Sequence, residues 1–191
     1  MSWTIDPAHS VVGFSGKHLG VSTVRGIFRE FDGDFDLPED GDVTKARGRV
    51  TVNVASIDTG NEQRDGHLKT GDFFDAENHP TIEFVLKSVT PAGGDQYKVT
   101  GDLTIRGVTR EVNLDYEHNG IVEDPFGNTK MGGSLTGTID RTEWDLKWNV
   151  PLGGGGLLVS NKIKLEIDGE LAKSAAVVAE EVAEETAGSQ V

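Results

Sequence analysis

The sequence predicts an all-β fold of antiparallel strands with one short helical insertion around residues 60–75. Two observations carry that reading: apolar and polar residues alternate with period two along segment after segment, and turn-forming residues fall between the segments. A third bounds it, because 191 residues with 36% apolar content suffice for one buried domain and no linker-like stretch divides them.

Taken in chain order, Trp3 to His18 and Val24 to Phe28 read as the opening strands. Phe31-Asp-Gly-Asp-Phe-Asp-Leu37 then sets Phe31, Gly33, Phe35 and Leu37 on one face and three aspartates on the other. Ala46 to Val54 and Thr81 to Lys87 repeat the pattern on either side of an interruption. Tyr97 to Ile105, Glu111 to Glu117 (with Val112, Leu114 and Tyr116 aligned), Met131 to Asp140 and Lys162 to Asp168 complete the series. Pro91-Ala-Gly-Gly94 and Asp124-Pro-Phe-Gly-Asn128 supply turns between them, giving about eight strands or more. One apolar face per strand fits a closed barrel and a stacked sandwich equally, so alternation does not separate the two. Gly33, Gly48, Gly101, Gly133 and Gly137 fall on apolar faces. Either they remove volume and leave a cavity, or they mark bulges and corners where a barrel wall bends.

The interruption, Ile57 to Asp75, reads as a short helix. Thr59 or Asn61 can cap it, Asp65 and Lys69 form an i,i+4 pair, Gly71 can end it, and Asp72 can cap a second turn. Arg64 and His67 then lie one turn apart on the same side. Arg64 offers a planar donor fork for an oxygen-rich head group and His67 a second donor, while Phe73 and Phe74 suit an isoprenoid or acyl chain. In the compatible alternative, Arg64 and Asp65 pin the helix to the barrel and Phe73 and Phe74 plug its end.

Composition narrows the function classes. A net charge of −14 works against binding nucleic acid or anionic lipid surfaces. The absence of cysteine excludes disulfides, thiolate metal sites and a thiol nucleophile. His9, His18, His67, His79 and His118 show no His-x-His or His-x-x-x-His spacing, so no metal is expected; His118 reads as a surface turn and His79 as a loop residue before proline. No Gly-x-Ser-x-Gly elbow is present, and Gly153-Gly-Gly-Gly156 is not followed by the Gly-Lys-Ser/Thr of a phosphate loop. The expectation is therefore not an enzyme, the alternative being lipid head-group chemistry through Arg64, Asp65 and His67. Met1-Ser-Trp-Thr-Ile-Asp enters the first strand pattern without a basic or apolar leader, and no run approaches a membrane span, so a cytoplasmic protein is expected. Residues 172–191 read as an acidic, disordered extension of a domain spanning 1–171.

Short pieces in a fixed order tie the chain to a known family. They are Trp3-Thr-Ile-Asp-Pro-Ala-His-Ser10, Phe14, Lys17-His-Leu-Gly-Val-Ser22, Gly26-Ile-Phe28 and Phe31-Asp-Gly33, followed by Ile57-Asp-Thr59, Asn61 and Arg64-Asp-Gly-His-Leu68. Asp72-Phe-Phe-Asp75, His79-Pro80, Gly101-Asp-Leu-Thr-Ile-Arg-Gly-Val-Thr109, Asp124-Pro-Phe-Gly127 and Asp140-Arg141 complete the set. In these the chain resembles the YceI-like, polyisoprenoid-binding family over nearly all of residues 3 to 171. The resemblance implies an extended antiparallel, lipocalin-like β-barrel whose apolar tunnel holds a polyprenyl or quinone-type lipid without covalent attachment. It implies carriage or storage, no settled catalytic activity and no cofactor, and is compatible with a homodimer. His18, Arg64, Asp65, His67, Phe73 and Phe74 occupy its motif positions near the tunnel mouth, and ligand contact is expected of each. Phe14, Phe28, Phe84, Leu103, Ile105 and Leu114 are expected to line the tunnel, from alternation alone. The chain departs from the family at Arg141-Thr-Glu-Trp144-Asp145, where Arg-x-x-aromatic-Gly is usual, which leaves Trp144 facing solvent or a partner. A packed interaction barrel presenting Trp144, Trp148 and the tail is the rival reading. In so acidic a chain a diphosphate head is repelled except beside Arg25, Arg64 or Lys69, which keeps a neutral quinone in play.

Overall fold

A computed structural model describes residues 1–174. Its strands are β1 (Ser2–Ile5), β2 (Val11–His18), β3 (Ser22–Phe28), β4 (Phe31–Asp36), β5 (Arg47–Asn53), β6 (Ile57–Asp58), β7 (Thr81–Gly93), β8 (Gln96–Ile105), β9 (Val108–Glu123), β10 (Thr129–Asp140) and β11 (Val159–Lys173). One helix, α1 (Glu62–Lys69), lies between β6 and β7. Three pairs of short strands are long strands broken by a kink. β1 pairs with β4 while β2 pairs with β3, and β4 pairs with β5 while β3 pairs with β6, all antiparallel. Counted this way, eight strands follow one another around a closed up-and-down barrel, with β11 closing onto β2 and β1. The choice between barrel and sandwich is thereby resolved, and closure leaves no long unpaired edge.

Two of the three kinks have a local chemical cause. Pro7 has no N–H to give a ladder, so the strand expected to run from Trp3 to His18 breaks into a 3-10 turn at Pro7–His9, where Asp6 Oδ1 accepts from Ala8 N at 3.0 Å. Asn53 does the same for the turn between β5 and β6, accepting from Ala55 N at 3.0 Å. Strands β7 to β11 outrun their predicted ends, whereas β4 and β5 stop a residue short of theirs. Pro91 pairs with Tyr97 inside the β7–β8 hairpin, and the reversal falls at Gly93 and Gly94, whose φ values of 110° and 58° suit glycine. His118, expected in a surface turn, lies within β9. The turn at Asp124 to Asn128 forms as expected, with Asp124 Oδ1 accepting from Phe126 N at 2.8 Å and Asn128 N at 2.9 Å. Strand β11 runs to Lys173, so Ala172 and Lys173 belong to the barrel; the disorder expected of the tail beyond lies outside the described residues.

Helix α1 is shorter than the predicted insertion. Asn61 rather than Thr59 caps it, accepting from Arg64 N at 2.9 Å, and Thr70 rather than Gly71 ends it by donating its N–H to His67 O. The expected Asp65–Lys69 pair does not form among the described residues. Asp65 Oδ1 accepts instead from Thr59 N at 3.0 Å and Thr59 Oγ1 at 2.5 Å, which is worth more than an exposed i,i+4 pair. No helix of the described residues is long and apolar enough to cross a membrane.

The barrel interior is only partly packed. Val99, Leu103, Ile105, Val112, Leu114, Met131 and Ile139 are buried along β8, β9 and β10. Phe14, Phe31, Phe35, Phe84, Leu86, Leu135, Ile163 and Leu165 point to the same interior yet stay partly exposed. A core at ordinary packing density would cover side chains of that size, so the lumen is hollow.

Candidate ligand-binding tunnel

The hollow is a cavity of about 960 Å³ running through the barrel, at the upper end of the range for small-molecule sites and in an eight-stranded frame of the size that holds one ligand. The inward glycines help to keep it open, and they do so through their neighbours. A Cβ on Gly101 would overlap the Phe84 ring, one on Gly48 the Phe35 ring, one on Gly133 the Tyr116 ring, and one on Gly137 the Leu114 side chain. At Gly33 it would lie 2.6 Å from Ile5 Cδ1. Each glycine thus lets a large neighbour lie flat against the wall instead of standing into the lumen. Among these five, two also adjoin a register shift, Gly133 next to Gly132 and Gly101 opposite Leu86, as the expectation of bulges described.

All six side chains expected in the lining, Phe14, Phe28, Phe84, Leu103, Ile105 and Leu114, border the cavity. So do His18, Arg64, His67, Phe73 and Phe74 from the expected mouth. Asp65 does not: its carboxylate is turned into the Thr59 bonds, and its place is structural. Arg64 shares that work, donating from Nε to Thr59 Oγ1 at 2.7 Å and from Nη2 to Thr59 O at 2.8 Å. Two of its donor groups are therefore spent on anchoring the start of α1. Arg106 Nη1 donates to Phe73 O at 2.9 Å and holds the segment after the helix against the β8–β9 turn.

An aromatic wall closes around this end. The His67 ring stands edge-on to Phe73 and Trp148, with centroids 5.1 Å and 4.6 Å away, and Phe73 and Trp148 are 5.2 Å apart. His67 Nε2 lies 2.8 Å from Asp72 Oδ2, which fixes the ring's orientation. Phe14, Phe28 and Phe74 continue the aromatic surface with centroid separations of 5.5 Å and 6.0 Å.

Sequence reasoning missed three contributors to the wall. Trp148 figures in the sequence only under the rival reading of an interaction barrel, yet it borders the cavity. Tyr116 also borders it, its hydroxyl 3.0 Å from His118 Nδ1; burial pushes the Tyr116 phenol up to about 12 and lowers His118 from its ordinary value. Arg141 is the third, 4% exposed, with its guanidinium carbon 5.9 Å from the Phe73 centroid. It donates from Nε to Ser160 O at 3.0 Å and from Nη1 to Leu146 O, and burial lowers its pKa. Its sequence signal was membership of the Asp140-Arg141 motif piece, but nothing in alternation marks an arginine as buried. Trp144 corrects the remaining expectation: it is 1% exposed, and its indole Nε1 donates to Leu103 O at 3.0 Å, so it faces neither solvent nor a partner.

Among the described residues one triple of possible metal ligands comes together, Asp6, His9 and Glu170. The Lys130 ammonium sits 2.8 Å from Asp6 Oδ2 and 3.0 Å from Glu170 Oε1 and already supplies the positive charge there.

Comparison with known proteins agrees with this geometry. The profile of the YceI-like domain matches residues 3–171. A UPF0312 protein of Staphylococcus aureus (strain USA300) is 39% identical over 177 residues, which cover 91% of this chain and 98% of that protein. Among solved structures, Burkholderia cenocepacia BcnA superposes with a TM-score of 0.70 at 25% identity, covering 89% of this chain and 99% of its own. The Campylobacter jejuni YCEI protein gives a TM-score of 0.69 at 30% identity over 83% of this chain and 90% of that one. A polyisoprenoid binding domain from Saccharophagus degradans, implicated in plant cell wall breakdown, gives 0.69 over 90% of this chain and 98% of that one; at 12% identity it speaks to the fold alone.

Proposed function

The chain belongs to the YceI-like domain family, and from that premise we propose that it binds a long isoprenoid or similar amphiphilic lipid in its barrel and carries or stores it. The observation that carries the reading is the cavity of about 960 Å³ walled by large apolar side chains that the protein itself leaves partly uncovered. Covering that surface with an apolar chain yields about 25 cal/mol per Å² before ordering costs, enough to retain a long flexible lipid. One relative of the same fold is described as a polyisoprenoid binding domain, which suits a chain of that kind. Catalysis is the weaker reading, because Asp65 and two donor groups of Arg64 are committed to Thr59.

Native mass spectrometry of the purified protein, followed by organic extraction, tests the proposal. A stoichiometric long-chain adduct is expected. Leu114→Trp, which fills the lumen from a buried wall position, should reduce the adduct while leaving the domain folded. A folded parent that stays free of lipid after incubation with polyprenol and quinone ligands would overturn the reading.

A further inference from the structure

We infer that the tunnel carries a subsite for an anionic head group, a carboxylate or phosphate oxygen, on the guanidinium of Arg141. The inference rests on the lipid-binding reading above and adds the polarity of the head. Arg141 is 4% exposed, and no carboxylate lies within ion-pair distance of it among the described residues. The neighbouring Asp140 is occupied elsewhere, accepting from Thr142 N at 3.1 Å and Oγ1 at 2.6 Å and lying 3.6 Å from Lys162 Nζ. A buried cation without a counter-charge is costly, and the usual remedy of shedding the proton is closed to a guanidinium.

Its donors are also incompletely used. Arginine has five N–H groups. Nε and Nη1 reach Ser160 O and Leu146 O, while the acceptor for Nη2, Asn161 Oδ1, stands at 3.5 Å, the outer limit of a hydrogen bond. An oxyanion entering the cavity would satisfy Nη2 and the second Nη1 hydrogen together, with the shorter, stronger geometry of a charge-assisted bond. The surroundings favour the same sign. The other ionisable side chains bordering the helix end of the cavity are Lys17, His18, Arg64 and His67, all donors or bases, in a chain whose net charge is −14. Asp72, the acid beside them, is engaged by His67 at 2.8 Å. Asp168 also borders the cavity, but it pairs in register with Val11 and Ser134, toward the end bounded by Ser10 and Gly169. The geometry therefore orients the ligand, with its head under Phe73 beside Arg141 and its chain toward Tyr116.

Matched ligands test this on the delipidated full chain: geranylgeranyl phosphate against geranylgeraniol, and palmitate against hexadecanol, with dissociation constants from tryptophan fluorescence. The parent should hold each anion about tenfold or more tighter than its alcohol, and Arg141→Gln should bring that ratio towards one while retaining the alcohols. Preference for only one of the two anions would name the source of the oxyanion and keep the subsite. Equal affinity for anion and alcohol in the parent would overturn the subsite and leave the lipid-binding reading standing, and it needs no variant that folds. No binding of any of the four would overturn both. A preference that survives in Arg141→Gln but is lost in Arg64→Ala would move the anion to the rim and overturn the assignment.

Discussion

At the scale of single residues, the wall is decided by a few positions whose side chains do something unusual. Trp144 is buried with its indole bonded to Leu103 O, so Trp144→Phe should cost about 1–2 kcal/mol through the unpaired carbonyl and Trp144→Ala about 3–5 kcal/mol through the added cavity, read from urea unfolding. A near-neutral Ala variant would show that the indole packs loosely. Gly101 makes the opposite case. Gly101→Leu collides with the Phe84 ring and with the backbone oxygen of Val85, so a loss of about 3 kcal/mol or more should come with lower lipid uptake as Phe84 is pushed toward the lumen. Full uptake in that variant would mean the wall, not the lumen, absorbs the added volume. Both residues were visible in the sequence, Trp144 as a motif departure and Gly101 as an inward glycine. What they touch was not visible, because each contact joins residues far apart in the chain or on different strands, Trp144 from a 3-10 turn to Leu103 and Gly101 on β8 to Phe84 on β7.

At the scale of elements, short-range polar chemistry sets where strands stop. Asp6, Asp42, Asn53 and Asp140 each cap a 3-10 turn by accepting the N–H two residues on, and two of those turns kink barrel strands. Asp6 does more, since Lys130 reaches it at 2.8 Å from β10 and links it to Glu170 on β11, close to where β1 closes the ring. The Lys130 hydrogen bond first, and His9 second, hold the Asp6 carboxyl far below the ordinary carboxylate value. The folded state thus binds that proton less readily than the unfolded chain, so the stabilisation is complete above about pH 4 and disappears as pH falls below it. Asp6→Asn keeps the capping oxygen and removes the charge. The gap in melting temperature between parent and variant should be open at pH 6 and should close towards pH 2. A gap that stays constant with pH would assign Asp6 a capping role only.

At the scale of the whole molecule, the proposed function depends on a barrel that is closed by hydrogen bonds yet not filled by side chains. Leu103→Trp and Leu114→Trp place a large ring at two buried wall positions, and each should reduce extracted lipid in a protein that still melts cooperatively. Unchanged lipid content in both folded variants would remove those residues from the ligand's path. The polarity of the tunnel is a property at this scale as well. Aromatic and cationic groups gather at the α1 end, whereas Tyr116 and its His118 partner stand near the other, which would give the proposed amphiphilic ligand one favoured direction.

The sequence by itself determined the strands, their inward rows and the position of the helix, because alternation and turn chemistry are local and each depends on residues a few places apart. All six lining residues were legible for that reason, since an inward row in a barrel has only the lumen to face. Tertiary structure decided the rest. That the strands close into a barrel rather than a sandwich, that inward glycines shelter the rings of Phe84, Phe35 and Tyr116 and that Arg141 is buried beneath Phe73 all depend on contacts between distant segments. Alternation states which way a side chain points; only the closed barrel fixes what it meets there and how much of it remains uncovered.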